Sequence, residues 1–176
     1  MLVTGATAID NAVVYTDLYE LAYETGSLLR RQGLRLVTAE SCTGGWIGKT
    51  ITDVPGSSDW FEGGFVTYSN RMKQRQLGVD AGLLHQYGAV SAAVVEAMAT
   101  GALSHSDAHL AVAVSGIAGP DGGDEDKPVG TVWLAWARVV PEYLRSYCEH
   151  FSGDRTEVRY ATVATALRGV IEILGG

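Results

Sequence analysis

Residues 40–45, Glu-Ser-Cys-Thr-Gly-Gly, put an acid, two hydroxyls, a thiol and a glycine pair into one short stretch. A hydroxyl or thiol there can act as a nucleophile if a base takes its proton. Glycines let the backbone approach a ligand, and a helix starting at this point would turn its first amides toward an anion or a developing oxyanion. On that reading Thr43, Gly44 and Gly45 are substrate-binding positions. The spacing fits neither the Walker pattern nor GxGxxG, so a phosphate loop is not assigned from the string alone. Cys42 has no histidine close in sequence to activate it and reads as a small buried thiol. Ser41, beside Glu40, faces the expected site.

A base is offered by the segment Tyr68-Ser-Asn-Arg-Met-Lys73. Asn70 reads as a helix cap, which places Lys73 in the first turn. Repulsion from the positive end of the helix, together with burial, would lower the pKa of Lys73 and leave a neutral amine able to accept a proton. A serine must then meet it. Ser57 and Ser58 precede the same strand and are expected to fold back over its end, giving a Ser/Lys pair. Ser41 is the other choice, and the residues alone do not decide between them.

A third segment, residues 116–131, is a long glycine-rich loop with an acidic centre over Asp124–Asp126. Long ordered loops in compact domains are often functional. Lys127 and the backbone of Gly116 to Gly119 are expected to line a nucleotide, and Arg155 is a candidate phosphate clamp.

The elements that must position these groups can be read from the pattern of apolar residues. A helix is expected from about Asp17, with Leu18, Leu21, Ala22, Thr25, Leu28 and Leu29 on one stripe and Gly33 ending it. Residues 1–16 read as an N-terminal extension and 17–176 as a single domain. Leu34 to Val37 form a buried strand, and a helix follows from Gly44 to Thr52. The run 64–69 is a second strand, with Tyr68 at its end. Ser91 caps a further helix, and 109–115 form a nearly all-apolar strand. Residues 131–140 and 144–151 make an antiparallel pair, and a last helix starts at Ser152 or Asp154, with Glu157 completing a capping box. This order predicts a three-layer α/β/α sandwich around a mixed, mostly parallel sheet of about five strands. Polar segments leaving parallel strands meet at one edge of such a sheet, where ligands bind.

The chain has 176 residues, 47% of them hydrophobic, and a formal net charge of -7. That balance suits one soluble globular domain and argues against a broad nucleic-acid surface, which requires basic residues. No apolar run approaches the roughly 18 residues of a membrane span, and the N-terminus lacks the pattern of a signal peptide. Two distant cysteines and four scattered histidines predict no disulfide framework and no metal site. The expected setting is the cytoplasm.

The ordered motifs TAESCTGG, DVPGSS with WF, YSNRMK, GAVS, SGIAGPDGG with KPVGT, and FSGDR resemble the CinA C-terminal domain family over roughly residues 36–168. The resemblance implies a nicotinamide-nucleotide amidase: a Ser/Lys amidohydrolase acting on the carboxamide of nicotinamide mononucleotide, with no metal or organic cofactor. It further implies Ser58 as nucleophile, with Ser41 the second choice, Lys73 as base and Tyr68 as an orienting or relay group. Ser115 and Arg155 would bind or orient substrate, beside Gly116 from the loop reading above, and the chain would be a homo-oligomer; charge and composition add the expectation of no nucleic-acid or membrane partner. The larger N-terminal domain of some members has no counterpart here. A non-catalytic nucleotide-binding or interaction domain tied to competence or DNA damage is the alternative from another class.

Overall fold

A computed structural model describes residues 7–175, with side chains from Leu18 onward. Five strands carry the sheet: β1 (Leu36–Glu40), β2 (Phe61–Val66), β3 (Leu110–Gly116), β4 (Thr131–Arg138) and β5 (Tyr143–His150). Their spatial order is β2-β1-β3-β4-β5. β1 runs parallel to both β2 and β3, whereas β4 pairs antiparallel with β3 and β5 with β4. The mixed sheet therefore matches the expected class, with parallel pairing on one side and a hairpin on the other. β1 and β3 are buried almost throughout, as strands covered on both faces must be.

The helices are α1 (Thr7–Gln32), α2 (Trp46–Thr52), α3 (Asn70–Leu77), α4 (Ala81–Tyr87), α5 (Ala92–Ser104) and α6 (Arg155–Gly175). Two apolar clusters sandwich the sheet. One joins Leu18 and Leu29 of α1, Ile47 and Ile51 of α2, and Val163, Leu167 and Val170 of α6 to Leu36, Val112 and Trp136. The other joins Leu77 of α3 and Val94, Val95 and Met98 of α5 to Val37, Ala39, Ala111 and Ala113. Alternation along the strands divides them: even positions of β1 face the first cluster and odd positions the second.

Several boundaries differ from those expected. α1 starts at Thr7 rather than near Asp17, because no proline or glycine interrupts residues 7–17. The N-terminal extension over 1–16 is thus partly helical, and residues 1–6 lie outside those described. β2 covers 61–66 instead of 64–69, leaving Thr67 and Tyr68 in the loop beyond its end. Ser69, not Asn70, caps α3, its Oγ accepting from Met72 N at 3.2 Å. α4, capped by Asp80, was not expected at all; one turn either side of Leu84 is too short for a periodic pattern. The capping box of α6 forms as expected: Asp154 Oδ1 accepts from the amides of Thr156 and Glu157, and Glu157 Oε2 accepts from Asp154 N. No described helix is long and apolar enough to cross a membrane.

Candidate active site

Parallel pairing of β1, β2 and β3 brings three exits to one edge of the sheet: Ser41, Thr67-Tyr68 and Ser115-Gly116. Ser41 N donates to Val114 O at 3.1 Å, so the backbone remains in the ladder for one residue beyond β1. Being odd in register, its side chain points to the α3–α5 face. There Lys73, in the first turn of α3, turns inward and is 1% exposed.

Lys73 Nζ lies 3.0 Å from Ser41 Oγ, 2.9 Å from Thr67 O and 3.1 Å from Tyr68 O. Burial lowers its pKa from 10.5 to about 8, with a weak opposing influence from Cys42. As an ammonium, Nζ donates to Ser41 Oγ and to the two carbonyls. Once it loses a proton, two N–H groups serve the carbonyls and the lone pair is left for the Ser41 hydroxyl proton. A hydroxyl and a buried lysine amine at this distance are the two groups that serine–lysine chemistry requires.

Ser58 is elsewhere. It is exposed in a 3-10 turn over Ser57–Asp59, before β2 begins. That turn lies at the amino edge of the sheet: Leu36 N, at the start of β1, donates to Trp60 O. Arg30 of α1 fastens it from the other side through Gly56 O at 2.6 Å. The length of β2 therefore separates Ser58 from Lys73, and the expected fold-back of the DVPGSS loop over the strand's far end does not occur.

The helix end after Ser41 also departs from expectation, because it already holds an anion. Glu40, even in register and 1% exposed, turns to the opposite face from Ser41. Its Oε2 accepts from Thr43 Oγ1 at 2.6 Å and from the amides of Gly45 and Ile47, both at 3.0 Å. Oε1 accepts from Gly48 N at 2.8 Å. Of the amides expected to greet a substrate, that of Gly45 is thus taken by Glu40 and that of Gly44 by Ser41 O. Gly44 and Gly45, with φ of 62° and 96°, make the turn that wraps them around the carboxylate. Thr43, Gly44 and Gly45 shape the loop and do not line the cavity beside Ser41.

That cavity, about 200 Å³, is lined by Ser41, Lys73, Tyr68, Ser115, Gly116 and Arg155, with Cys42, Ala89, Val90 and Ala118. Ser115 Oγ donates to Ala89 O at 2.7 Å, which ties the GAVS segment down as one wall. Arg155 Nη1 donates to Gly119 O at 2.7 Å and borders the mouth. The Tyr68 side chain is 63% exposed at the rim; it is the backbone carbonyl, not the phenol, that meets Lys73. Cys42 is buried, and desolvation pushes its thiol up to about 12, which removes it as a nucleophile near neutral pH. Larger grooves exist beside β4–β5 and along β2, but neither brings a lysine to a hydroxyl.

One positioning residue escaped sequence reading. Arg159 of α6 donates to Cys42 O at 3.1 Å and Thr43 O at 2.9 Å, and its guanidinium stacks 5.3 Å from the Trp46 ring centre. It ties the loop after Ser41 to α6. The signal available was spacing: Arg159 lies one helical turn beyond Arg155.

A parallel-to-antiparallel sheet with a buried serine–lysine pair at the carboxyl edge defines the class, and comparison with known proteins names it. The profile of the CinA C-terminal domain matches residues 18–174, and the chain belongs to that family. It is 56% identical over 156 residues to the nicotinamide-nucleotide amidohydrolase PncC of Pseudomonas putida, covering 87% of this chain and 94% of that protein. The PncC of Shigella flexneri is 53% identical over 153 residues, covering 87% and 92%. A CinA-like protein of Akkermansia muciniphila is 54% identical over 144 residues, but the match spans only 34% of its length. Among solved structures, the competence/damage inducible protein CihA from Agrobacterium tumefaciens superposes with a TM-score of 0.87 at 44% identity, covering 91% of this chain and 96% of that one.

Proposed function

We propose that this chain hydrolyses the carboxamide of nicotinamide mononucleotide to nicotinate mononucleotide and ammonia, with Ser41 as nucleophile and Lys73 as base. The observation that carries the reading is the 3.0 Å contact between a buried lysine and Ser41 Oγ. The substrate comes from the names of relatives that share most of their length with this chain. The cavity supports it. At about 200 Å³ it is smaller than the roughly 300 Å³ of a drug-sized pocket, which suits one ring with its amide and leaves the ribose phosphate at the mouth. Arg155 stands there, a cation for a phosphate on a protein of net charge -7.

In the first half-reaction Ser41 Oγ attacks the amide carbon while Lys73 takes its proton. The tetrahedral adduct collapses as protonated Lys73 gives that proton to the departing nitrogen, releasing ammonia and an acyl-serine. Water then repeats the attack with Lys73 again as base, freeing the carboxylate. Tyr68, at the rim, orients the substrate rather than relaying the proton, and Ser115 holds the GAVS wall in place.

The test is ammonia release from nicotinamide mononucleotide. Wild type and Ser58→Ala are expected to release it at comparable rates. Ser41→Ala and Lys73→Ala are expected to lose at least about 10³-fold in kcat. Loss in Ser58→Ala with activity retained in Ser41→Ala would overturn the assignment of the nucleophile. No release from folded wild type would overturn the substrate.

A further inference from the structure

The amide oxygen gains charge as Ser41 attacks, and something must receive it. In activated-serine enzymes that sit on a strand-to-helix turn, donors after the nucleophile and on a neighbouring strand supply this hole. Here the helix end behind Ser41 is closed: Gly45, Ile47 and Gly48 donate to Glu40. With Gly44 N also taken, by Ser41 O, the loop keeps only the amides of Cys42 and Thr43 as rivals to a donor on the neighbouring strand.

Strand register identifies it. Along β3 the odd residues hydrogen-bond toward β4; Ile117 N donates to Thr131 O and Val139 N to His109 O. Even residues therefore turn their N–H and C=O toward β1, as Val114 does in accepting from Ser41 N. The next rung would run from Gly116 N to Ser41 O. It does not form, because the chain turns away after Ser41 and Gly44 N takes that carbonyl at 3.1 Å. By that register β4 offers Gly116 N no carbonyl, and no bond from it to Ser41 O is found. Gly116 nevertheless lines the cavity with Ser41 and Lys73. An interrupted ladder has left one amide aimed past the end of β1, beside the nucleophile.

We infer that the backbone N–H of Gly116 is an oxyanion donor for the reaction, a proposal that rests on Ser41 being the nucleophile. As the Ser41 Oγ–carbon bond forms and the proton moves to Lys73, the carbonyl π pair shifts onto oxygen, and Gly116 N–H donates to it. When the carbon–nitrogen bond breaks the pair returns and the donor is released. The amide costs no reorganisation, since the strand fixes it before substrate arrives.

Substituting Gly116 by alanine is a poor test, because an added Cβ would lie 2.6 Å from Val132 Cγ2 and 2.9 Å from Thr131 O. The better one is a full-length ligated chain in which the 115–116 peptide bond is an ester, which deletes the N–H and keeps the shape. With circular dichroism unchanged, kcat for nicotinamide mononucleotide is expected to fall about 10²- to 10³-fold with KM little altered. A kcat within about threefold of the all-amide chain, against an inactive Ser41→Ala control, overturns the Gly116 proposal alone; an active Ser41→Ala control overturns the serine reading and this proposal with it. If the ester chain does not fold, amide NMR of wild type carrying an aldehyde analogue of the nucleotide decides. Downfield movement of the Gly116 proton on forming the Ser41 hemiacetal supports the proposal. Movement of the Cys42 or Thr43 amide with Gly116 unmoved, or no adduct on wild type, overturns it.

Discussion

With Lys73 as the proposed base, its titration sets how activity depends on pH. The folded chain releases its proton near pH 8, whereas a solvated lysine keeps it to 10.5. Activity is therefore expected to rise with pH as the neutral amine accumulates, with an apparent pKa in kcat/KM near 8. Stability carries the same signature. Between about 8 and 10.5 the unfolded chain binds more protons than the folded one, so wild type gains stability as pH rises through that window. Relative to Lys73→Met, which cannot titrate, the gain should approach about 3 kcal/mol, measured by urea unfolding at several pH values. A difference flat from pH 7 to 10.5 would mean that Lys73 is solvated in the folded chain. The lysine was legible in the sequence as a misplaced charge in a first helical turn. Its partner was not, because three-dimensional distance across a strand leaves no trace in spacing: Ser58 is closer in sequence to Lys73 and is found at the far edge of the sheet. Strand alternation did hold a clue. Ser41 shares its parity with Val37 and Ala39, so it had to face the same helices that carry Lys73.

At the scale of elements, the joint between β1 and α2 is the most consequential. A buried carboxylate there accepts from two hydroxyls, those of Thr38 and Thr43, and from three amides. Glu40→Ala is expected to destabilise the fold by about 3 kcal/mol through unsatisfied donors. That corresponds to a Tm lower by about 6 to 12 °C for a chain of this size, read by differential scanning calorimetry. An unchanged Tm would show that water or the loop re-satisfies those amides. The elements themselves were largely readable. Periodicity identified the two long helices, the buried strands and the hairpin, because long segments average over local exceptions. Their ends were less so, since an end is fixed by one hydrogen bond: Ser69 captured Met72 N where Asn70 was expected to cap. The meaning of the glycine pair was misread for a related reason. A string of small and polar residues looks the same whether its amides await a ligand or already enclose a side chain.

Across the whole molecule, the sheet separates stability from chemistry. The larger apolar cluster, with α1, α2 and α6, lies on one face, while Ser41 and Lys73 meet on the other, in a cavity at the sheet edge to which the first face contributes only Cys42, Ala118 and the start of α6. Leu167→Ala, fully buried in the first cluster, is expected to cost about 2 to 5 kcal/mol in urea unfolding while leaving kcat at 20 °C within about twofold. A matching collapse in kcat would mean that packing under α6 reaches the site, with Arg159 as the route. The three-layer architecture was foreseeable because alternation of helices with apolar runs has few packed solutions. What was not foreseeable is that the turn around Ser41 is closed on itself. Glu40, Thr43, Gly45 and Gly48 form one interlocked unit. Three of the donors are backbone amides, which any residue but proline carries, so it is the acid at position 40, rather than the identity of its donors, on which the turn's shape hangs.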